Sequence, residues 1–298
     1  MEVAGSFEAA RKSYRGVIGC VPTMGFLHEG HLSLIEAAHR DSDTVVVTLF
    51  VNPLQFSSAE DLDSYPRDLA RDSELAQESG ADVLFAPPLD EVFPTEPHTT
   101  VTVRPLADPL EGVHRPGHFA GVATVVTKLL AGLRPDRAYF GRKDAQQLAV
   151  VKRLVSDLSF PTEVIGCSTI RESDGLALSS RNIHLGTEDR QRALGLSQGL
   201  RAAQTAILTG ERDAATLCQI ARSEAEERGL ALQYAELVDA EEVKRIKTLD
   251  RTGFLAVAAL VGESRLIDNL CVSFGPDGQI EPDFGRVLDH RSVLYERR

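Results

Sequence analysis

Two histidines stand three residues apart in Val21-Pro22-Thr23-Met24-Gly25-Phe26-Leu27-His28-Glu29-Gly30-His31, where an apolar run gives way to a helical pattern. An imidazole can donate a hydrogen bond to a phosphate without the permanent charge that would trap a product. A helix N-terminus at a strand end attracts anions, and Gly25 and Gly30 clear side chains from where a ligand approaches the backbone. Two other readings compete. A zinc site wants His-Glu-x-x-His on one helix face plus a third ligand, whereas the spacing here is His-Glu-Gly-His. Spacing alone also allows a purely structural pair.

A second cluster is Asp174-Gly175-Leu176-Ala177-Leu178-Ser179-Ser180-Arg181-Asn182. Two hydroxyls and a guanidinium in succession can wrap polyphosphate oxygens, the arginine through bidentate, charge-assisted bonds. The bland reading is a helix N-cap or polar turn. A third is Phe140-Gly141-Arg142-Lys143-Asp144-Ala145-Gln146-Gln147. There Lys143 can neutralise phosphate, Asp144 can accept from ribose hydroxyls, and Gln147 lies one helical turn on. Capping and dipole chemistry would account for the same residues. Phe50–Phe56 sets the amides of Asn52 and Gln55 beside Phe56, a mixture suited to an apolar acid carrying hydroxyls. A loop over 110–122 adds Arg115 and His118; ordinary turn chemistry is the alternative for both loops.

Alternating elements must position these groups. Apolar or β-branched runs predict strands at 16–21, 44–51, 81–86 and 99–103, with weaker ones at 138–141 and 163–166. Helical patterns fall at 31–40, 63–80, 121–133 and 145–158. Buried strands alternating with helices imply an α/β fold, a Rossmann-like parallel sheet with helices on both faces. The character changes near residue 170. Amphipathic helices over 187–208 and 213–229, then strands near 234–238 and 253–261, suggest a smaller C-terminal α/β domain. The expected division is 1–169, a Rossmann-like domain, and 170–298, a smaller domain carrying the Ser-Ser-Arg loop.

The 298 residues carry 32 Lys+Arg against 44 Asp+Glu, a net charge of −12, which argues against a nucleic-acid partner. Between Arg115 and Arg153 eight basic residues meet two acids, a local reversal that suits an anionic ligand or a solvated basic face. The four cysteines are scattered without Cys-x-x-Cys. No secretory leader and no membrane span is expected, so a cytoplasmic location is.

His-x-Gly-His after a first strand resembles the signature of the nucleotidylyl-transferase superfamily. Taken in order, PTMGFLHEGH, FVNPLQF, YPRD, RPGHFAGV, FGRKDAQQL, DGLALSSRN and RLIDN resemble the pantothenate synthetases, the AMP-forming pantoate–β-alanine ligases, from Pro22 to Asn269. The resemblance implies adenylation of pantoate by ATP, then displacement of AMP by β-alanine. It implies His28, His31, Lys143, Ser179, Ser180 and Arg181 as catalytic groups on the phosphates. Pro22, Thr23, Met24, Gly30, Gly141, Asp144, Ile170 and Leu178 complete the ATP site, Leu178 standing where many relatives have Met. Met24, Asn52, Gln55, Phe56 and Gln147 would hold pantoate. Tyr65, Arg115 and His118 fall to the β-alanine side or a closing loop. It further implies Mg2+ on the ATP phosphates with no protein metal ligands, and a homodimer. Two rivals remain at this point: a superfamily enzyme that leaves the nucleotide on its product, and a nucleotide-binding sensor without turnover.

Overall fold

The computed structural model describes residues 1–56 and 59–295. The chain divides into two compact units: Met1–Gly141 with Val150–Cys167, and Arg142–Ala149 with the chain from Ser168 onward.

The first unit is built on β1 (Glu2–Ala4), α1 (Phe7–Lys12), β2 (Ile18–Thr23), α2 (Glu29–Asp41), β3 (Thr44–Leu49), α3 (Ala59–Ser64), α4 (Leu69–Glu78), β4 (Val83–Phe85), α5 (Leu89–Val92), α6 (Glu111–His114), α7 (His118–Leu133), β5 (Arg137–Gly141), the later part of α8 (Ala145–Asp157), and β6 (Glu163–Cys167). Its six strands run in the order β1-β4-β3-β2-β5-β6, all neighbours parallel. The α/β fold with a parallel sheet is therefore as expected. From β2 the chain builds outward to β3 and β4 on one side and, after a crossover, to β5 and β6 on the other. Order reverses between β2 and β5, and ligands of open parallel sheets collect at the carboxyl ends there. Thr23 and Gly141 are those two ends.

Three departures have local causes. The strand expected to stop before Pro22 runs on to Thr23. β2 pairs with β5 only at Gly19 and Cys20, so Pro22 sits where β3 is the sole neighbour and no ladder donor is lost. The helix expected over 63–80 is two helices, because Pro66 offers no N–H and restrains Tyr65, and Asp68 then caps α4 by accepting from the Arg71 N–H at 3.1 Å. The β-branched run 99–103 forms no strand. Its Val101 N–H bonds the Thr124 hydroxyl on α7 at 3.0 Å, and its Val103 carbonyl takes the Ala107 N–H at 3.1 Å, so these groups need no neighbouring strand.

The second unit contains the start of α8, β7 (Ile170–Arg171), α9 (Thr187–Leu208), α10 (Ala214–Glu227), β8 (Leu232–Asp239), β9 (Gly253–Val261), β10 (Ser264–Phe274), β11 (Ile280–Asp283) and β12 (Arg286–Val287). Four strands form an antiparallel sheet, β11-β10-β9-β8, and β12 pairs with β7 in parallel. The alternate residues Leu255, Val257, Ala259 and Val261 of β9 share a core with Leu196 and Leu200 of α9 and Leu217 of α10. The helices can lie close because α9 presents Gly199, where a Cβ would stand 2.5 Å from the Ala221 carbonyl oxygen. No helix among the described residues is long and apolar enough to cross a membrane.

Candidate functional site

In the first unit the histidine loop is a cap. His28 is the N-cap of α2, and its Nδ1 accepts the Gly30 N–H at 3.2 Å. The Nδ1 of His31 accepts the His28 N–H at 3.4 Å, closing a reciprocal box with histidines in the usual Ser/Glu roles. The rings stand 4.1 Å apart at a 31° tilt. A ring whose Nδ1 accepts carries its proton on Nε2 when neutral, so both imidazoles are set as Nε2–H donors. Gly30 is required, since a Cβ there would lie 2.9 Å from the His28 ring.

The turn before the histidines has a support absent from the motif. Gly25 and Phe26 both have positive φ, 90° and 53°. Asp72 of α4 is buried beneath them and accepts the Phe26 and Leu27 N–H groups, each at 2.7 Å. Arg71 donates to the Leu27 carbonyl at 2.9 Å and lies 5.1 Å over the Phe26 ring. Burial pushes the Asp72 carboxyl above the ordinary aspartate value, against the two N–H bonds and Arg71 that pull it down. Thr23 is committed locally, its hydroxyl donating to the Thr48 carbonyl at 2.6 Å and accepting from Gly25.

Six residues singled out from the sequence meet beside this loop. The Gln55 amide reaches the Met24 sulfur at 3.0 Å, and the Asn52 amide donates to the Gln55 side chain and to the Gly121 carbonyl. The Arg115 guanidinium and the His118 ring both converge on the Gln55 carbonyl, at 3.4 and 3.1 Å. The Phe56 and Tyr65 rings meet edge-on, 5.8 Å apart. A cleft of about 430 Å³ opens next to Met24, lined mainly by apolar side chains such as Phe50, Pro53 and Leu69. Gly141 has nothing within 4 Å of where a Cβ would project, so packing within the protein does not explain the missing side chain.

In the second unit Lys143, Ser179 and Arg181 line one recess with Arg265 and Asp268. Ser179 caps a 3-10 turn over Ser180–His184 by accepting the Arg181 N–H at 3.3 Å. The N-cap reading of Ser-Ser-Arg is thus correct for Ser179. Lys143 Nζ lies 3.6 Å from Asp144. Leu178 is buried, and the Ile170 carbonyl accepts its N–H at 2.9 Å. Gln147 follows Lys143 by one turn and falls in this unit, with Asp144.

A model of the pantoate-beta-alanine ligase family matches residues 2–271. The chain belongs to that family. Among its ligase relatives, the pantothenate synthetase of Heliobacterium modesticaldum is 50% identical over 270 residues, spanning 90% of this chain and 95% of the relative. The crystal structure of pantothenate synthetase from Thermus thermophilus matches with a TM-score of 0.86 at 44% identity, covering 91% of this chain and 99% of that one. A pantoate-beta-alanine ligase from Francisella tularensis, solved with beta-gamma ATP and beta-alanine, matches with a TM-score of 0.75 at 34% identity, covering 91% and 97%.

Within the basic stretch 115–153 several side chains have partners in the protein. Arg137 pairs with Glu163, Arg142 with Asp283, and Arg153 with Asp157, while Lys128 stands over the Phe93 ring. Of the eight, Lys143 is the one that lines the recess beside Ser179. Motif reading also missed Arg71 and Asp72. The signal was an Arg-Asp pair on the buried face of an otherwise polar helix, too common to single out.

Proposed function

We propose that the chain joins pantoate to β-alanine at the expense of ATP, through a pantoyl adenylate. The observation that carries this is the family match over residues 2–271, which contains every motif of the two capped loops. In the first step a pantoate carboxylate oxygen bonds to the α-phosphorus and the bond to pyrophosphate breaks. In the second the β-alanine nitrogen bonds to the activated carbonyl carbon, loses a proton, and AMP leaves. The chain supplies no nucleophile; position and charge lower the barrier. His28 and His31 donate from Nε2 to phosphate oxygens. Lys143, Ser179, Ser180 and Arg181 hold the β- and γ-phosphates. Pro22, Thr23, Met24 and Gly30 line the nucleotide. Gly141 and Asp144 take the ribose, the backbone near Ile170 takes the adenine, and Leu178 belongs to the same ATP site. Gln55 and Gln147 hold the polar end of pantoate, with Asn52 nearby and Met24 and Phe56 on its methyl groups. Tyr65, Arg115 and His118 serve the β-alanine side.

Among the described residues no group of three or more His, Cys, Asp or Glu is disposed to hold a metal. The phosphate-facing set is cationic, imidazole or hydroxyl, which suits a polyphosphate bringing its own magnesium. Mg2+ would sit on phosphate oxygens and supply charge neutralisation there. A homodimer in the cytoplasm completes the proposal; sedimentation giving a single chain mass would remove the dimer.

The test follows AMP, pyrophosphate and pantothenate after adding ATP, magnesium and pantoate, with and without β-alanine. Equal amounts of all three, appearing only with β-alanine beyond one early turnover of pyrophosphate, are expected. A stable nucleotidylated product without AMP would transfer the chain to another reaction of the superfamily. His28→Ala and Lys143→Ala should each slow turnover by about 10²–10³-fold. Full activity in both would overturn the phosphate-site assignment.

A further inference from the structure

The RLIDN segment lies in β10, and its last two residues are buried beside the recess of Lys143 and Ser179. Asp268 and Asn269 are 3% and 4% exposed. We infer that Asn269 is a positioning residue that sets Lys143 for phosphate, while Asp268 beside it sets the approach to the Ser-Ser-Arg loop. The inference rests on the proposed roles of Lys143 and Ser179–Arg181.

The Asn269 amide nitrogen donates to two successive carbonyls, Arg142 at 2.9 Å and Lys143 at 2.7 Å. Its Oδ1 accepts the Cys271 thiol at 3.3 Å. Only one orientation of the amide satisfies all three bonds, because the flipped amide would face its oxygen to two carbonyl oxygens. Both peptide planes around Lys143 are thereby held, which fixes the direction in which its side chain leaves the backbone. That matters for lysine in particular. Its four-carbon stem carries about 2 kcal/mol of rotamer entropy, and a flexible cation stabilises a transition state poorly unless its base is fixed. The Lys143 side chain is 19% exposed, so the stem is already mostly enclosed.

Alternation along β10 sends Asp268 to the opposite face, in phase with the core residues Leu266 and Leu270. There it binds the fully buried Arg171 through both oxygens, at 2.6 and 3.0 Å. Arg171 in turn donates to the Gly175 carbonyl at 3.2 Å and bridges to Ala177. The Ser-Ser-Arg loop begins two residues later. One rigid strand thus registers both cationic segments of the recess, one through each face. At this point β10 is paired residue by residue with β9, Asp268 opposite Val257 and Asn269 opposite Ala256.

A double-mutant cycle on the full chain separates positioning from simple support. Steady-state pyrophosphate release with ATP, magnesium, pantoate and β-alanine is measured for Asn269→Ala, Lys143→Ala and the double variant, alongside thermal unfolding. Asn269→Ala should lower kcat about a hundredfold with the KM for pantoate unmoved. In the Lys143→Ala background the same change should cost less than about threefold, because its route of action is gone. Asn269→Asp preserves volume but cannot donate; it enters the same cycle and decides the matter if the alanine variant does not fold. Wild-type kcat in the Asn269 variants, or losses that multiply in the double variant, would overturn the inference alone. Wild-type adenylation by Lys143→Ala would instead overturn the reading on which it rests, and the inference with it.

Discussion

The histidine loop and the Ser-Ser-Arg loop, both proposed to meet phosphate, are held in opposite ways. The first is fastened by hydrogen bonds to backbone. Histidines close the helix cap on each other, and one buried carboxylate, Asp72, gathers the two N–H groups of the strained turn. The second is fastened by ion pairs between side chains. Arg171 binds Asp268, and Arg190 binds Glu172 and Asp174 at 2.6 and 2.8 Å. Glu172 also receives the amide of Asn182, next to Arg181. The lesson concerns what each arrangement tolerates. A capped turn needs a particular backbone shape and accepts few substitutions at glycine. A loop held by buried charges accepts varied backbone but fails when one charge loses its partner.

That contrast orders the expected effects. Asp268→Ala should be the most destabilising change, because it leaves the Arg171 guanidinium buried without its carboxylate. A loss of about 3–5 kcal/mol is expected in urea unfolding, and a loss below about 1 kcal/mol would show that the ion pair is dispensable. Asp72→Asn should cost less, about 1–3 kcal/mol, since one N–H acceptor survives. It also carries a pH signature. The folded-state pKa of Asp72 is raised, so the folded chain binds this proton more tightly than the unfolded chain does. Stability arising through this group is present in acid and falls as pH rises from the unfolded aspartate value through the raised folded one. The advantage of wild type over Asp72→Asn should therefore shrink with rising pH across that window. A difference independent of pH would contradict the buried-carboxylate description.

Tyr295→Phe should be the mildest. The phenol donates to Glu172 at 2.9 Å and accepts from Arg190 at 2.8 Å. Burial, followed by the nearby Glu172 charge, raises it to about 12, so it remains a donor at neutral pH. Removing one such hydroxyl should cost about 1 kcal/mol by thermal or urea unfolding. A cost equal to that of Asp268→Ala would mean that the outer ion pairs, and not Arg171–Asp268, hold the loop.

Local pattern made the parallel sheet legible. β3 is a β-branched run, α9 begins and ends where its periodicity does, and the strand-end motifs lie at the ends of β2 and β5. β10, the longest strand, was missed because Asp268 and Asn269 interrupt its apolar alternation with buried polar groups. Those same residues are the ones that hold Lys143 and Arg171. The residues proposed to touch substrate are thus readable as compact motifs, whereas their supports are not. Leu27 meets Asp72 across 45 positions, Arg171 meets Asp268 across 97, and Asn269 meets Lys143 across 126. No local periodicity encodes partners so far apart.

Sequence distance also becomes time during synthesis. Strands β1 to β6 are all made before the chain reaches Ser168, so the first sheet can close early. The segment from Arg171 to Asn182 leaves the ribosome without Asp268, 97 residues behind it, or Tyr295, 123 residues behind Glu172. At about 5–20 residues per second, the second gap lasts roughly 6–25 s. For most of that interval Arg171 is a charge awaiting its carboxylate, hydrated until β10 arrives, whereas Glu172 meets Arg190 only 18 residues on. The Ser-Ser-Arg loop is consequently among the last parts of the molecule to acquire its shape.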